Sequence, residues 1–136
     1  MEKDDFAFDV DDQPFTRAPH PSYSEPIPAH TMIKDSVTIM RGCFGGCTFC
    51  SITLHQGREI QSRSEASVLA EVQSVGGHPD FKGTLSDLGG PTANMYRMGC
   101  SKPEVEAVCR RLSCVHPTVC KLLDTDHGPT KALMTQ

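Results

Sequence analysis

Tryptophan is absent from this 136-residue chain, and tyrosine occurs only twice. Large aromatic surface is therefore scarce, and a core has to be assembled from aliphatic residues, Met, Cys and six Phe. A run of about eighteen apolar residues is also missing, so no segment reads as a membrane-spanning helix. No Lys/Arg block is present, and a pI of 5.8 argues against a nucleic-acid footprint. The start lacks the basic-then-apolar pattern of a secretory signal. Instead Glu2, Asp4, Asp5, Asp9, Asp11 and Asp12 stand there against Lys3 alone, so the net charge of −4 is local and the rest is near neutral. The expected location is cytoplasmic, with no membrane and no nucleic-acid partner indicated. The chain also falls short of the roughly 200–250 residues of a complete catalytic barrel.

What is abundant is cysteine, seven residues in all. In a reducing compartment, clustered cysteines read as metal ligands or redox groups rather than as a disulfide framework. Their setting follows from the periodicity of the chain. Residues 1–35 are acidic and punctuated by Pro14, Pro19, Pro21, Pro26 and Pro28, which predicts an irregular arm or linker. Ser36 to Arg41 is short and β-branched, as a buried parallel strand would be. Residues 43–61 read as a Gly- and Cys-rich loop. A helix is expected over about 64–75, capped by Ser62 or Ser64, with Val68, Leu69, Val72 and Val75 inward and Gly76-Gly77 at its end. A second strand is expected near 83–88, before Gly89-Gly90-Pro91. Another helix is expected over 103–112, starting at Pro103 and burying Val105, Val108 and Leu112. The tail after 113 reads as turns and short pieces. Residues 36–90 thus form one βαβ unit, and ligands of such units gather at the carboxyl ends of the strands. The cysteine loop and the Gly-Gly-Pro turn should face one crevice.

Within the loop, R-G-C-F-G-G-C-T-F-C places Cys43, Cys47 and Cys50 in a C-x3-C-x2-C spacing. These offsets also fit a helical stripe, but Gly42, Gly45 and Gly46 disfavour a helix by about 1 kcal/mol each. Thiolates are soft ligands suited to iron–sulfur clusters, zinc or Cu(I). Structural zinc and ordinary clusters take four protein ligands, whereas three cysteines leave one position open to a small molecule. A Cys3His zinc site adding His55 is the main rival.

The spacing after a strand, with Phe49 before the third cysteine, resembles the radical S-adenosylmethionine superfamily. The string I-M-R-G-C-F-G-G-C-T-F-C-S-I-T-L-H-Q-G-R-E-I-Q-S-R-S-E is more specifically similar to the YgiQ-type proteins of that superfamily. P-F-T-R-A-P-H-P-S-Y, S-D-L-G-G-P-T-A-N-M-Y-R, C-R-R-L-S-C-V-H-P and L-D-T-D-H-G-P-T share the likeness, which covers about residues 13–133. The resemblance implies an α/β fold, a partial radical SAM (β/α) barrel of about two to three βα units over residues 36–136. It implies a 4Fe–4S cluster on Cys43, Cys47 and Cys50 and, in the complete protein, reductive cleavage of S-adenosylmethionine to a 5′-deoxyadenosyl radical that acts on an unknown substrate. Phe49 would lie near the adenine. Gly89, Gly90 and Pro91 would correspond to a Gly-Gly-Glu-type turn near the methionine amino group; Pro91 at the Glu position leaves only backbone groups. A flavodoxin- or ferredoxin-type electron donor is expected. The short length further implies a fragment with weak or absent turnover. The alternative from another class is a non-catalytic zinc-binding or interaction module.

Other residues admit two readings. Cys109, Cys114 and Cys120, with Cys100 upstream, are either a second metal site or partly buried thiols; their spacing matches no strong template, and the latter is preferred. Asp124, Asp126 and His127 read as turn residues rather than ligands. Asp87 is a strand-end pocket candidate. Arg58, Glu59 and Arg63 read as loop and surface charges, Arg110 and Arg111 as a solvated helix face, and Met95, Tyr96 and Met98 as core filler.

Overall fold

A computed structural model describes residues 22–92 and 94–136. The first 21 residues of the expected arm lie outside the described residues. The fold is α/β, with five helices and two two-stranded sheets among the described residues. The chain divides into two compact units, one of residues up to Thr38 with Arg63–Leu88, the other of Ile39–Ser62 with Gly89–Gln136.

In the first unit, α1 (Pro28–Ile33) occupies part of the expected arm. Pro28 supplies a preset φ at the first helical position, which lets a short helix start in a proline-rich stretch. Strand β1 (Ser36–Thr38) follows, with Val37 buried. Helix α3 (Glu65–Gly76) packs on β1 and buries Val68 and Val75. Ser64 caps it by accepting the Ser67 N–H at 3.2 Å, as one of the two expected caps. Burying such side chains contributes about 1.5–3 kcal/mol each.

Arg63 departs from its surface-charge reading: it is 4% exposed and forms an ion pair with Glu71, itself 6% exposed. Glu71 lies on α3 between Val68 and Val75, so the helix buries a carboxylate within its apolar stripe. Arg63 also donates to Thr38 O at 2.9 Å and to Ser67 Oγ at 2.7 Å, tying the start of α3 to the end of β1.

The predicted strand 36–41 is divided. Strand β1 pairs with β4 (Asp87–Gly89), while β2 (Met40–Arg41) pairs antiparallel with β3 (Gln61–Ser62). The Ser86 N–H bonds Asp35 O, and the Ile39 N–H bonds Gly89 O. These contacts advance together along both segments, so β1 and β4 run parallel. Asp87 opens β4 and is exposed rather than closing a strand over a pocket.

In the second unit, Ile39, Met40, Phe44, Met95, Tyr96, Met98 and Leu133 are buried. Between the cysteines and β3 the chain forms α2 (Ile52–Gln56). The helix expected over 103–112 stops early: α4 covers only Pro103–Glu106. The following amides turn tighter, Val108 N–H to Val105 O and Cys109 N–H to Glu106 O, while the Arg58 guanidinium takes the carbonyls of Cys109 and Arg111. Val108 and Leu112 are consequently 75% and 87% exposed, not buried. The tail contains α5 (Gly128–Met134), which buries Thr130 and Leu133. Asp124 and Asp126 are turn residues as expected, their carboxylates accepting the amides of Asp126 and Gly128 at 2.9 and 2.8 Å. No helix among the described residues is long and apolar enough to cross a membrane.

Candidate metal centre

The cysteine loop is held by its backbone. After β2, Gly42 adopts φ +94°, and a Cβ there would stand 2.3 Å from Glu59 O. Its N–H donates to Gln56 Oε1 at 3.1 Å. The Cys43 N–H donates to Gly57 O at 3.1 Å, and its carbonyl accepts the Thr53 hydroxyl at 2.9 Å. Helix α2 and the turn after it therefore hold both backbone polar groups of the first cysteine. Further along, Gly46 has φ +60°, and a Cβ there would meet Leu112 O at 2.0 Å. The loop lies directly on the 112–114 segment, where the Cys114 N–H donates to Phe44 O at 2.9 Å.

Two of the sulfurs lie over Gly45. A Cβ on Gly45 would sit 3.2 Å from Cys43 Sγ and 3.8 Å from Cys47 Sγ, so both thiols occupy the space that glycine leaves free. The Gly45 N–H donates to Cys43 Sγ at 3.4 Å, and the Thr92 hydroxyl lies 3.7 Å from the same sulfur. Such amide and hydroxyl contacts tune a metal bound to the sulfur they touch. Cys43 is buried, Cys47 exposed and Cys50 half-buried on a turn closed by Cys50 N–H to Cys47 O. In donor chemistry and glycine floor the loop fits a thiolate-ligated group. Among the described residues, however, no three His, Cys, Asp or Glu side chains are gathered closely enough to hold a metal ion.

The neighbours of the loop are those the βαβ reading predicts. Thr92 follows Gly89-Gly90-Pro91 directly, so its contact with Cys43 brings that turn beside the loop. Gly90 packs closely on the Met40 side chain, where a Cβ would come within 2.8 Å. Phe49 is 91% exposed, a bare aromatic face next to Cys50. An open cleft of about 560 Å³ borders the loop, lined by Gly46, Thr48, Arg111, Leu112, Ser113 and His116 among others. His55, the fourth ligand of the zinc alternative, is exposed on α2 and forms no ligand group with the cysteines.

Thr53, Gln56 and Thr92 escaped the sequence reading. Their only linear signal is position, one turn into the helix after the cysteines or one residue past the Gly-Gly-Pro turn. Arg111, expected on a solvated face, is half-buried and donates to Ser113 O at 3.1 Å and Thr118 O at 2.7 Å. Arg110 is exposed as expected. Burial pushes the Cys114 thiol up from its ordinary value, opposed by the nearby Arg58 charge.

Against curated proteins the chain finds close relatives. A UPF0313 protein of Bradyrhizobium diazoefficiens is 62% identical over 120 residues, covering 87% of this chain and 18% of the relative. A UPF0313 protein of Vibrio vulnificus is 58% identical over 131 residues, 95% of this chain and 17% of the relative. YgiQ of Salmonella typhimurium, also a UPF0313 protein, is 58% identical over 119 residues, 86% of this chain and 16% of its own length. The chain belongs to the UPF0313 family. It spans less than a fifth of the length of these UPF0313 relatives. No protein-family model matches it. No solved structure matches it.

Proposed function

We propose that Cys43, Cys47 and Cys50 hold a 4Fe–4S cluster and that the complete protein uses it with S-adenosylmethionine as a radical enzyme on a substrate still to be identified. The observation that supports this reading is the packing of the Cys43 and Cys47 sulfurs over Gly45, with amide and hydroxyl contacts on the Cys43 sulfur. Bound there, the cluster and its nucleotide would supply reductive carbon–sulfur cleavage.

The residues of the chain have separable tasks in this reading. Cys43, clamped by Gly57 O and Thr53, sets the position of the first sulfur. Gly45 keeps a side chain away from the Cys43 and Cys47 sulfurs, and Gly46 lets the loop lie against Leu112. Phe49 offers an exposed ring for stacking on a base. Gly89, Gly90 and Pro91 offer backbone groups beside the loop. The cleft of about 560 Å³ falls in the range of small-molecule sites.

Anaerobic reconstitution with iron and sulfide tests the reading. About four irons and four sulfides per chain are expected, with visible thiolate-to-iron absorption. Replacing Cys43, Cys47 or Cys50 by Ala should remove at least nine-tenths of the sulfide, by the logic of lost first ligands. Zinc without sulfide on these three cysteines would overturn the cluster. A cluster that gives no 5′-deoxyadenosine in a full-length UPF0313 relative would overturn the radical chemistry.

A further inference from the structure

Cys114 and Cys120 take no part in the cluster reading, yet the fold holds them as a pair. The Cys120 N–H donates to Cys114 O at 2.7 Å. With standard bond lengths, a contact that short keeps the two Cα atoms within about 6.6 Å. Disulfides span Cα separations of about 4.4–6.8 Å, provided the side chains also converge. Both residues line one cavity of about 30 Å³, which Cys100, Glu106 and Cys109 also border, so the pair shares a common space. Both thiols are free and half-buried, within reach of a small reagent.

The other two cysteines on the cavity are poorer partners. The Cys100 thiol donates to Lys102 O at 3.4 Å. Burial raises the Cys114 pKa and the Arg58 charge opposes it; of the neighbouring thiols, Cys120 pushes it up more than Cys109. The residues between Cys114 and Cys120 are also set in place. Ser113 Oγ accepts the amides of Val115 and His116 at 3.1 and 2.9 Å, and Arg111 donates to Thr118 O at 2.7 Å. A loop ordered in advance closes with little further loss of chain entropy.

We propose that Cys114 and Cys120 form a reversible disulfide, a modification site separate from Cys43, Cys47 and Cys50, with a low-molecular-weight disulfide as the oxidant. One thiolate of the pair attacks a sulfur of the small disulfide, whose S–S bond breaks to release one thiol. The second thiolate then attacks the protein sulfur of the mixed disulfide, forming the Cys114–Cys120 bond and releasing the other thiol. The chain gives up two electrons and two thiol protons, and the two released thiols carry both. His116, Pro117 and Thr118 lie inside the ring so closed and line the cleft of about 560 Å³ beside the cysteine loop. Cys114 itself is bonded to that loop through Phe44 O. Oxidation therefore braces one wall of the cleft without adding a group to it.

The test incubates the natural, metal-free chain anaerobically with oxidised and reduced glutathione, followed by alkylation and digestion with trypsin. Cleavage after Arg111 and Lys121 puts Cys114 and Cys120 on one peptide, while cleavage after Arg41 and Arg58 puts Cys43, Cys47 and Cys50 on another. The 112–121 peptide is expected unalkylated and lighter by the two thiol hydrogens. Its yield at a fixed glutathione ratio should fall roughly tenfold in concentrated urea, where the loop is no longer ordered. Amide exchange over residues 115–119 should slow roughly tenfold on oxidation of the folded chain. Mixed glutathione disulfides alone overturn the bond, and cross-links from Cys114 or Cys120 mainly to Cys100 or Cys109 overturn the pairing. Equal yield in urea overturns its origin in the fold, and unchanged exchange overturns the bracing of the cleft. The cluster is read on the other peptide, so failure here is distinct from failure of the cluster reading.

Discussion

At the scale of single residues, glycine governs the candidate site. Gly46 combines a left-handed backbone with a Cβ position only 2.0 Å from Leu112 O, a backbone atom that cannot swing aside. Gly46→Ala should therefore cost more than the roughly 1–2 kcal/mol of a left-handed Ala. It should also displace the loop, and the measurement is reconstituted sulfide per chain, expected to fall severalfold. The Arg63–Glu71 pair makes a second prediction. Both side chains are about 5% exposed, so Glu71→Ala takes the carboxylate from a buried guanidinium and should destabilise by about 3–5 kcal/mol in denaturant unfolding. Changing both residues to Met and Leu should cost less than the single change, although Thr38 O would then lose its donor. The pair was illegible in sequence because Glu71 sits at i+3 from Val68, a spacing that a surface charge and a buried one share. Cys43, Cys47 and Cys50 were legible as ligand candidates because their spacing and glycines are local properties.

At the scale of elements, local chemistry set the starts of helices better than their ends. Ser64, Glu65 and the valines announced α3, and Gly76-Gly77 closed it where expected. Ser64→Ala should cost about 1 kcal/mol, read as a fall of a few degrees in the thermal midpoint. Helix α4 began at Pro103 as predicted but ended at Glu106. Its continuation lost to a distant competitor, the Arg58 side chain, which bonds the carbonyls of Cys109 and Arg111 across fifty residues of sequence. No window of local periodicity contains that arginine. Helix α5 was missed for a different reason: it shows few apolar residues, and its packing rests on Leu133 and on Thr130, whose hydroxyl reaches Asn94 Oδ1 at 3.2 Å. The strand over 36–41 was legible as extended chain, but its division between two sheets depends on which partners arrive beside it.

At the scale of the molecule, the UPF0313 relatives are more than five times as long as the segment they share with this chain. Two short sheets are marginal alone in water. Both facts motivate one prediction: the 136-residue chain should take up iron and sulfide yet yield less than a tenth of the 5′-deoxyadenosine of a full-length relative, by analogy with losses when substrate-positioning parts are missing. Equal yields per cluster, measured anaerobically with excess reductant, would refute it. The family likeness was visible in the sequence because it resides in contiguous strings around the cysteines, where identity of residue is preserved without reference to fold.

The spacing of the candidate ligands, glycine placement, the cap of α3 and the order strand, helix, strand follow from the sequence alone, since each depends on residues within a few positions of one another. The tertiary structure alone decided that Thr92 reaches Cys43, that Arg63 and Glu71 are buried, and that Cys100, Cys109, Cys114 and Cys120 surround one cavity. Those outcomes join distant parts of the chain, and the energy that selects them, burial, charge pairing and long-range hydrogen bonds, exists only once the chain has closed on itself.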